Sequence, residues 1–111
     1  MKSIVIDLNN LDHNINFLKS KIKKNVLFCA VVKANAYGHG FEICKLIESK
    51  VDYFAVATAD EAIKLRNLNI KKHILVLGVT TKDEKRELIS KGVDITISSL
   101  NELYQINRLI L

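Results

Sequence analysis

Short apolar runs alternate along the chain with stretches whose apolar residues recur every three or four positions. The first run, Ile4-Val5-Ile6-Asp7-Leu8, predicts a strand, and Asn9 and Asn10 behind it offer a helix cap. Leu11, Ile15, Leu18 and Ile22 then fall at steps of four, three and four, the stripe of an amphipathic helix. Val26 to Val32 is apolar at every position, which predicts a strand buried on both faces.

The same alternation repeats three more times. Phe41, Cys44 and Ile47 share one face of a helix, and Tyr53 to Ala57 follow as a core strand. Asp60 can cap a helix carrying Ala62, Leu65 and Leu68, after which Ile74 to Leu77 form a strand that ends at Gly78. Thr81 and Glu84 have the spacing of a capping box ahead of a helix through Leu88. Ile95-Thr96-Ile97 reads as a shorter strand. Ser99 and Glu102 repeat the capping-box spacing before a helix through Leu103, Ile106 and Ile110.

Strand followed by helix, over and over, implies parallel strands joined by right-handed crossovers. The later strands begin near residues 53, 74 and 95, a constant step, although the residues themselves do not repeat. With no proline and no linker-like stretch, residues 1–111 read as one α/β domain. Two architectures fit: the N-terminal half of a (β/α)8 TIM-type barrel with parallel strands, or a small open doubly wound parallel sheet. A complete barrel takes eight units over about 250 residues. About four units are visible, so the barrel reading makes the domain incomplete, with one strand edge bare.

Composition narrows the function classes. At 49% hydrophobic and 26% charged residues the chain is of globular type. No apolar run approaches the length of a membrane span, and "MKSIVIDLNN" is not a secretory leader, so a cytoplasmic protein is expected. The formal charge of +5 comes from scattered lysines, and with aromatic residues at only 6% no nucleic-acid stacking platform is present. Cys29 and Cys44 have no metal-ligand spacing and read as buried core thiols. His13, His39 and His73 are dispersed, so no metal site is expected.

The stretch carrying candidate chemistry is "VVKANAYGHG", Val31 to Gly40. Lys33 stands where an apolar strand ends, and chemistry in parallel α/β folds gathers at the carboxyl ends of strands. A partly desolvated amine there favours its neutral form and can condense with an aldehyde to a Schiff base. Ala34 and Ala36 leave room for a planar ring, Tyr37 offers a phenol to a phosphate, and Gly38 and Gly40 permit a tight turn into the next helix. From residue types alone, a snorkelling lysine and a packing tyrosine fit as well.

"AVVKANAYGHG", Ala30 to Gly40, resembles the pyridoxal-phosphate attachment motif of alanine racemases. The similarity continues through "VIDLNNLDHNINFL", "YFAVATADEAIKLR" and "ILVLG", so it spans the whole chain. The resemblance implies the N-terminal part of a (β/α)8 barrel that is followed by a β-rich domain. It implies pyridoxal 5'-phosphate as cofactor, alanine as substrate, and interconversion of its L and D forms to supply D-alanine for peptidoglycan. By the same match Lys33 would hold the cofactor and act as one base. Tyr37 would contact the cofactor phosphate, Leu77 would line the ring pocket, and His39 would be structural.

In that family the second base is a tyrosine from the C-terminal domain of the partner subunit in a homodimer. The arginine facing the ring nitrogen and most of the phosphate loop also come later than Leu111. Tyr53 and Tyr104 do not match the second base. The resemblance therefore implies a truncated form, inactive alone. Two readings stand beside it: a non-catalytic pyridoxal-phosphate homeostasis protein, whose lysine has a different surrounding motif, and an oligomerisation module without chemistry.

Overall fold

The computed structural model describes residues 2–110. Helix α1 (Leu8–Ser20) leads to strand β1 (Cys29–Val31), a single turn α2 (Lys33–Tyr37) and helix α3 (Glu42–Ile47). After a 3-10 turn, Glu48–Lys50, come β2 (Tyr53–Val56), α4 (Ala59–Asn67), β3 (His73–Val76), α5 (Lys82–Ser90), β4 (Asp94–Ile95) and α6 (Leu100–Ile110).

The four strands form one sheet in the order β1-β2-β3-β4, and every pair is parallel. Register sets Val31, Ala55 and Leu75 abreast, with Asp94 beside Leu75. Residues abreast in parallel strands point to the same face, and neighbours along a strand point to opposite faces. One face therefore presents Phe54, Val56, Ile74 and Val76, all fully buried. These pack in one core with Ile15 of α1, Cys44 of α3, Leu65 of α4 and Leu88 of α5. The other face presents Cys29, Val31, Tyr53, Leu75 and Asp94.

Both features decide between the two architectures. A doubly wound sheet reverses its strand order at a switch point and carries helices on both faces. Here each strand lies beside its predecessor, and the helices of the core share a single face. This is the winding of a (β/α)8 barrel, with the second face turned toward the barrel interior.

Caps begin the helices where the chain supplies them. Thr58 accepts from the Glu61 amide while the Glu61 carboxylate accepts from the Thr58 amide, a complete capping box at α4. Thr81 and Glu84 do the same at α5, as their spacing predicts. At α6 the box is shifted. Ser99 Oγ accepts from the Glu102 amide, but the Glu102 carboxylate reaches past it to the amide and hydroxyl of Ser98.

Several expectations are corrected. Residues 4–8 form no strand: Val5 is 91% exposed, Leu8 already opens α1, and Asp7 caps that helix by accepting from the Asn10 amide. An isolated apolar run has no ladder to join, so the cap falls on Asp7 rather than on Asn9 or Asn10. The α4 cap is Thr58 rather than Asp60, because Thr58 holds the extended backbone a cap requires. The run Val26–Val32 is not buried on both faces, since only residues 29–31 are strand and Leu27 is 66% exposed. β1 is an edge strand, and its second face lacks a covering layer among the described residues. For the same reason Cys29 is exposed, whereas Cys44 is fully buried, and burial raises its thiol to about 11. Leu68 and Leu103 lie outside the buried core, and the side chain of Ile110 lies outside the described residues.

Candidate active site

The carboxyl end of the sheet carries the candidate chemistry. The register carries on past β2 and β3 to Ala57 and Leu77, whereas β1 ends at Val31: Val32, at φ −124° and ψ 23°, turns the chain, and Lys33 begins α2 at that end of the sheet. Ala57 and Leu77 continue the face of Ala55 and Leu75. Leu77 holds its level because its amide donates to Val56 O at 2.8 Å, and its side chain is 45% exposed. Lys33 follows β1 and Leu77 follows β3, two strands apart at the carboxyl end of the sheet.

Lys33 is half-buried, and its ammonium forms no ion pair among the described residues. Immediately after it the backbone turns left-handed. Ala34, Asn35, Ala36 and Tyr37 all have φ between 53° and 56°. For L-residues this conformation costs about 1–2 kcal/mol each, with asparagine the most tolerant. Such strain persists only where surrounding bonds over-determine it.

Those bonds are present. The Ala36 amide donates to Val32 O at 2.8 Å, and the Gly40 amide to Asn35 O at 2.8 Å. Asn35 Oδ1 accepts from the Phe41 amide at 3.0 Å, tying the turn to the start of α3. His39 places Nδ1 2.9 Å from Ala36 O, a structural contact with the turn. Gly38, at φ 91°, ends the left-handed turn where a side chain would be strained. Upstream, the Val32 amide donates to Ala55 O at 2.9 Å, and the Ala34 amide to Glu61 Oε2 at 2.7 Å. The amides of Gly38, His39, Gly40 and Phe41 thus all have acceptors within the turn.

Tyr37 sits on the turn with its side chain 61% exposed. It borders an apolar groove of about 350 Å³ at the free edge of β1, together with Ile15, Phe28, Val31 and His39. Neither Lys33 nor Leu77 lines that groove. The fold therefore brings Lys33 and Leu77 to the same end of the sheet, while Tyr37 borders a groove that neither of them lines.

Tyr53 and Tyr104 stand elsewhere. Tyr53 pairs in register with Cys29, the first residue of β1, so it lies at the amino end of the sheet, opposite the end that carries Lys33. There its hydroxyl donates to Asp94 Oδ2 at 2.9 Å, which raises its pKa, and its ring stacks on His73 at 4.7 Å. Tyr104 is exposed on α6. Among the described residues no group of acidic, histidine and cysteine side chains could hold a metal.

Two features escaped the pattern. Glu61 supports both the α4 cap and the Ala34 amide, and its Thr58-x-x-Glu61 spacing was a legible capping box. Lys85 of α5 is buried against Glu102 of α6, Nζ to Oε1 at 2.9 Å, and also donates to Thr80 O. Lys85 and the Ser98 bonds hold the Glu102 carboxyl down to about 2. This pair ties the loop after β3 to the loop after β4.

Residues 6–111 match the family model described as "Alanine racemase, N-terminal domain". The chain belongs to that family. Alanine racemase of Streptococcus equi subsp. equi is 42% identical over 99 residues, which cover 88% of this chain and 27% of the relative. Alanine racemase of Fusobacterium nucleatum is 45% identical over 102 residues, covering 90% and 28%. The solved alanine racemase of Clostridium difficile 630 superposes with a TM-score of 0.87 at 39% identity, over 93% of this chain and 28% of its own. The chain thus spans a little over a quarter of the alanine racemases it matches. Those likenesses agree with the barrel winding read from the strand order.

Proposed function

We propose that this chain is the cofactor-anchoring part of an alanine racemase, the N-terminal half of its barrel, with Lys33 as the anchoring amine. The observation that carries the reading is the position of Lys33. It is an amine with no ion partner among the described residues, at the carboxyl end of β1 and directly before an over-determined left-handed turn. Family membership supports alanine as the substrate and pyridoxal 5'-phosphate as the cofactor.

The residues present fit that cofactor in part. Lys33 Nζ would hold its aldehyde carbon, Leu77 and Ala57 would border the ring, and Tyr37 would reach the phosphate. The turn cannot cradle that phosphate by its backbone, because the amides from Gly38 to Phe41 already have acceptors. When bound, the cofactor spreads the charge left on the α-carbon once its proton departs. Lys33 can take or return that proton on one face only. Tyr53, at the other end of the sheet, cannot serve the opposite face. Likeness to the alanine racemases implies that the second base would come from beyond this chain, from the partner subunit of a homodimer.

No helix among the described residues is long and apolar enough to cross a membrane. A cytoplasmic location goes with the proposed role in supplying D-alanine. The test is incubation of the chain with pyridoxal 5'-phosphate, borohydride reduction and mass mapping. The adduct should concentrate on Lys33 and vanish from the mapped site in Lys33→Ala. An adduct spread evenly over the lysines would overturn the assignment.

A further inference from the structure

We propose that Glu61 is a positioning residue for Lys33: its carboxylate takes over the strand ladder where β1 turns left-handed, and so fixes where the amine stands. The inference rests on the reading of Lys33 as the anchoring lysine.

In a regular parallel ladder alternate amides of one strand donate to alternate carbonyls of the next. The Val32 amide donates to Ala55 O, so the Ala34 amide would next donate to Ala57 O. It does not. Ala57 O is turned to the opposite neighbour and accepts from the Gly78 amide at 3.1 Å, while Ala34 has left the strand at φ 54°. Glu61 Oε2 receives the Ala34 amide instead, at 2.7 Å. Its other oxygen accepts from the amides of Ala57 at 2.9 Å and Thr58 at 3.1 Å.

One carboxylate thus bridges the end of β1, the end of β2 and the first turn of α4. Lys33 lies between two amides that are both held from the β2–α4 side, Val32 by a carbonyl and Ala34 by a charge. Hydrogen bonds to an ionised acceptor are shorter and stronger than neutral ones. The arrangement needs two acceptor oxygens. Glutamine has one, and its amide nitrogen would face an N–H donor whichever way it turned. Glu61 does not touch the amine, so its effect passes through the backbone.

The experiment compares Glu61→Gln, Thr58→Ala and the double variant Glu61→Gln/Ala34→Gly with the unmodified chain. Each is incubated with pyridoxal 5'-phosphate, reduced and mapped, and circular dichroism reports folding. In the unmodified chain the adduct should concentrate on Lys33. In Glu61→Gln the share on Lys33 should fall on the order of 10-fold, since displacement of a reacting group by about 1 Å costs up to about 10²-fold in rate. Thr58→Ala weakens the same helix cap but leaves the Ala34 bond, so it should keep the Lys33 preference. Glycine at position 34 adopts the left-handed turn without strain and should restore some of the preference.

A folded Glu61→Gln with an unchanged Lys33 share overturns the inference while leaving the anchoring role intact. An even spread in the unmodified chain overturns both. Should Glu61→Gln fail to fold, hydrogen exchange of the Ala34 amide in the unmodified chain decides: slow exchange supports the tether, and exchange at the free-peptide rate overturns it.

Discussion

Gly78 lies two residues past β3, at the end of the sheet that carries the candidate site, and the backbone leaves no room there for a side chain. A Cβ built on it would sit 2.4 Å from Ala57 O. Even a close C–H···O contact keeps carbon and oxygen about 3.3 Å apart, so Gly78→Ala must push the ends of β2 and β3 apart by nearly an ångström. That separation breaks the Gly78 amide bond to Ala57 O, now 3.1 Å, at about 0.5–1.5 kcal/mol. Forcing atoms into a packed site adds about 1–3 kcal/mol. The expected loss is about 2–4 kcal/mol, read as a lower urea midpoint at unchanged slope. Gly92→Ala is the control. Gly92 has φ 65° and no atom within 4 Å of the built Cβ, so it loses only the left-handed conformational term, about 1–2 kcal/mol. Because Ala57 also carries one of the Glu61 bonds, Gly78→Ala should in addition lower the pyridoxal-phosphate labelling of Lys33. A Gly78→Ala chain as stable as the parent, or more stable than Gly92→Ala, would refute the steric account.

Four further outcomes follow from the same geometry. A thiol reagent should titrate Cys29 in the folded chain and reach Cys44 only after denaturant is added; equal reactivity would mean that α3 does not pack as described. The raised Cys44 thiol favours the folded state below its ordinary value of 9.0, and that contribution should be lost as pH climbs from there through about 11, a loss absent in Cys44→Ala. Glu102 works in the opposite direction. Held down to about 2 by Lys85 and Ser98, it supports folding above the usual carboxylate range and loses that support as pH falls from 4.5 through about 2, so Glu102→Gln should flatten the acid limb of an unfolding–pH profile. Finally, the chain with pyridoxal 5'-phosphate and L-alanine should yield no D-alanine at an enzymatic rate in a chiral assay, because a positioned second acid–base group contributes about 10²–10⁴-fold; turnover near 10 per second would require that base within these residues.

Periodicity alone determined most of the element order. Runs at Tyr53–Val56 and Ile74–Val76 and stripes through Cys44, Leu65 and Leu88 were legible because each buries one face against a neighbour, and burial imprints a period on the sequence. Capping boxes were legible for a similar reason, since Thr81 and Glu84 satisfy each other within one turn. The lysine was legible as a candidate through its place at a strand end and through the "KANAYGHG" motif. What covers an apolar run is not a local property. Ile4–Leu8 and Val26–Leu27 have the composition of strands, yet without a partner ladder neither forms one: Ile4 and Val5 stay exposed and Leu8 opens α1, and Val26 and Leu27 stay exposed. Cys29 and Cys44 sit in equally apolar surroundings in the sequence, and only the sheet's two faces separate the exposed thiol from the buried one. Strand order likewise came from tertiary structure, because strand–helix alternation is common to a barrel and a doubly wound sheet, and only pairing tells them apart. The bond from Glu61 to Ala34 joins residues 27 apart in the chain, and no spacing rule reaches that far: two strands had to pair before a helix cap could also hold the turn beside Lys33.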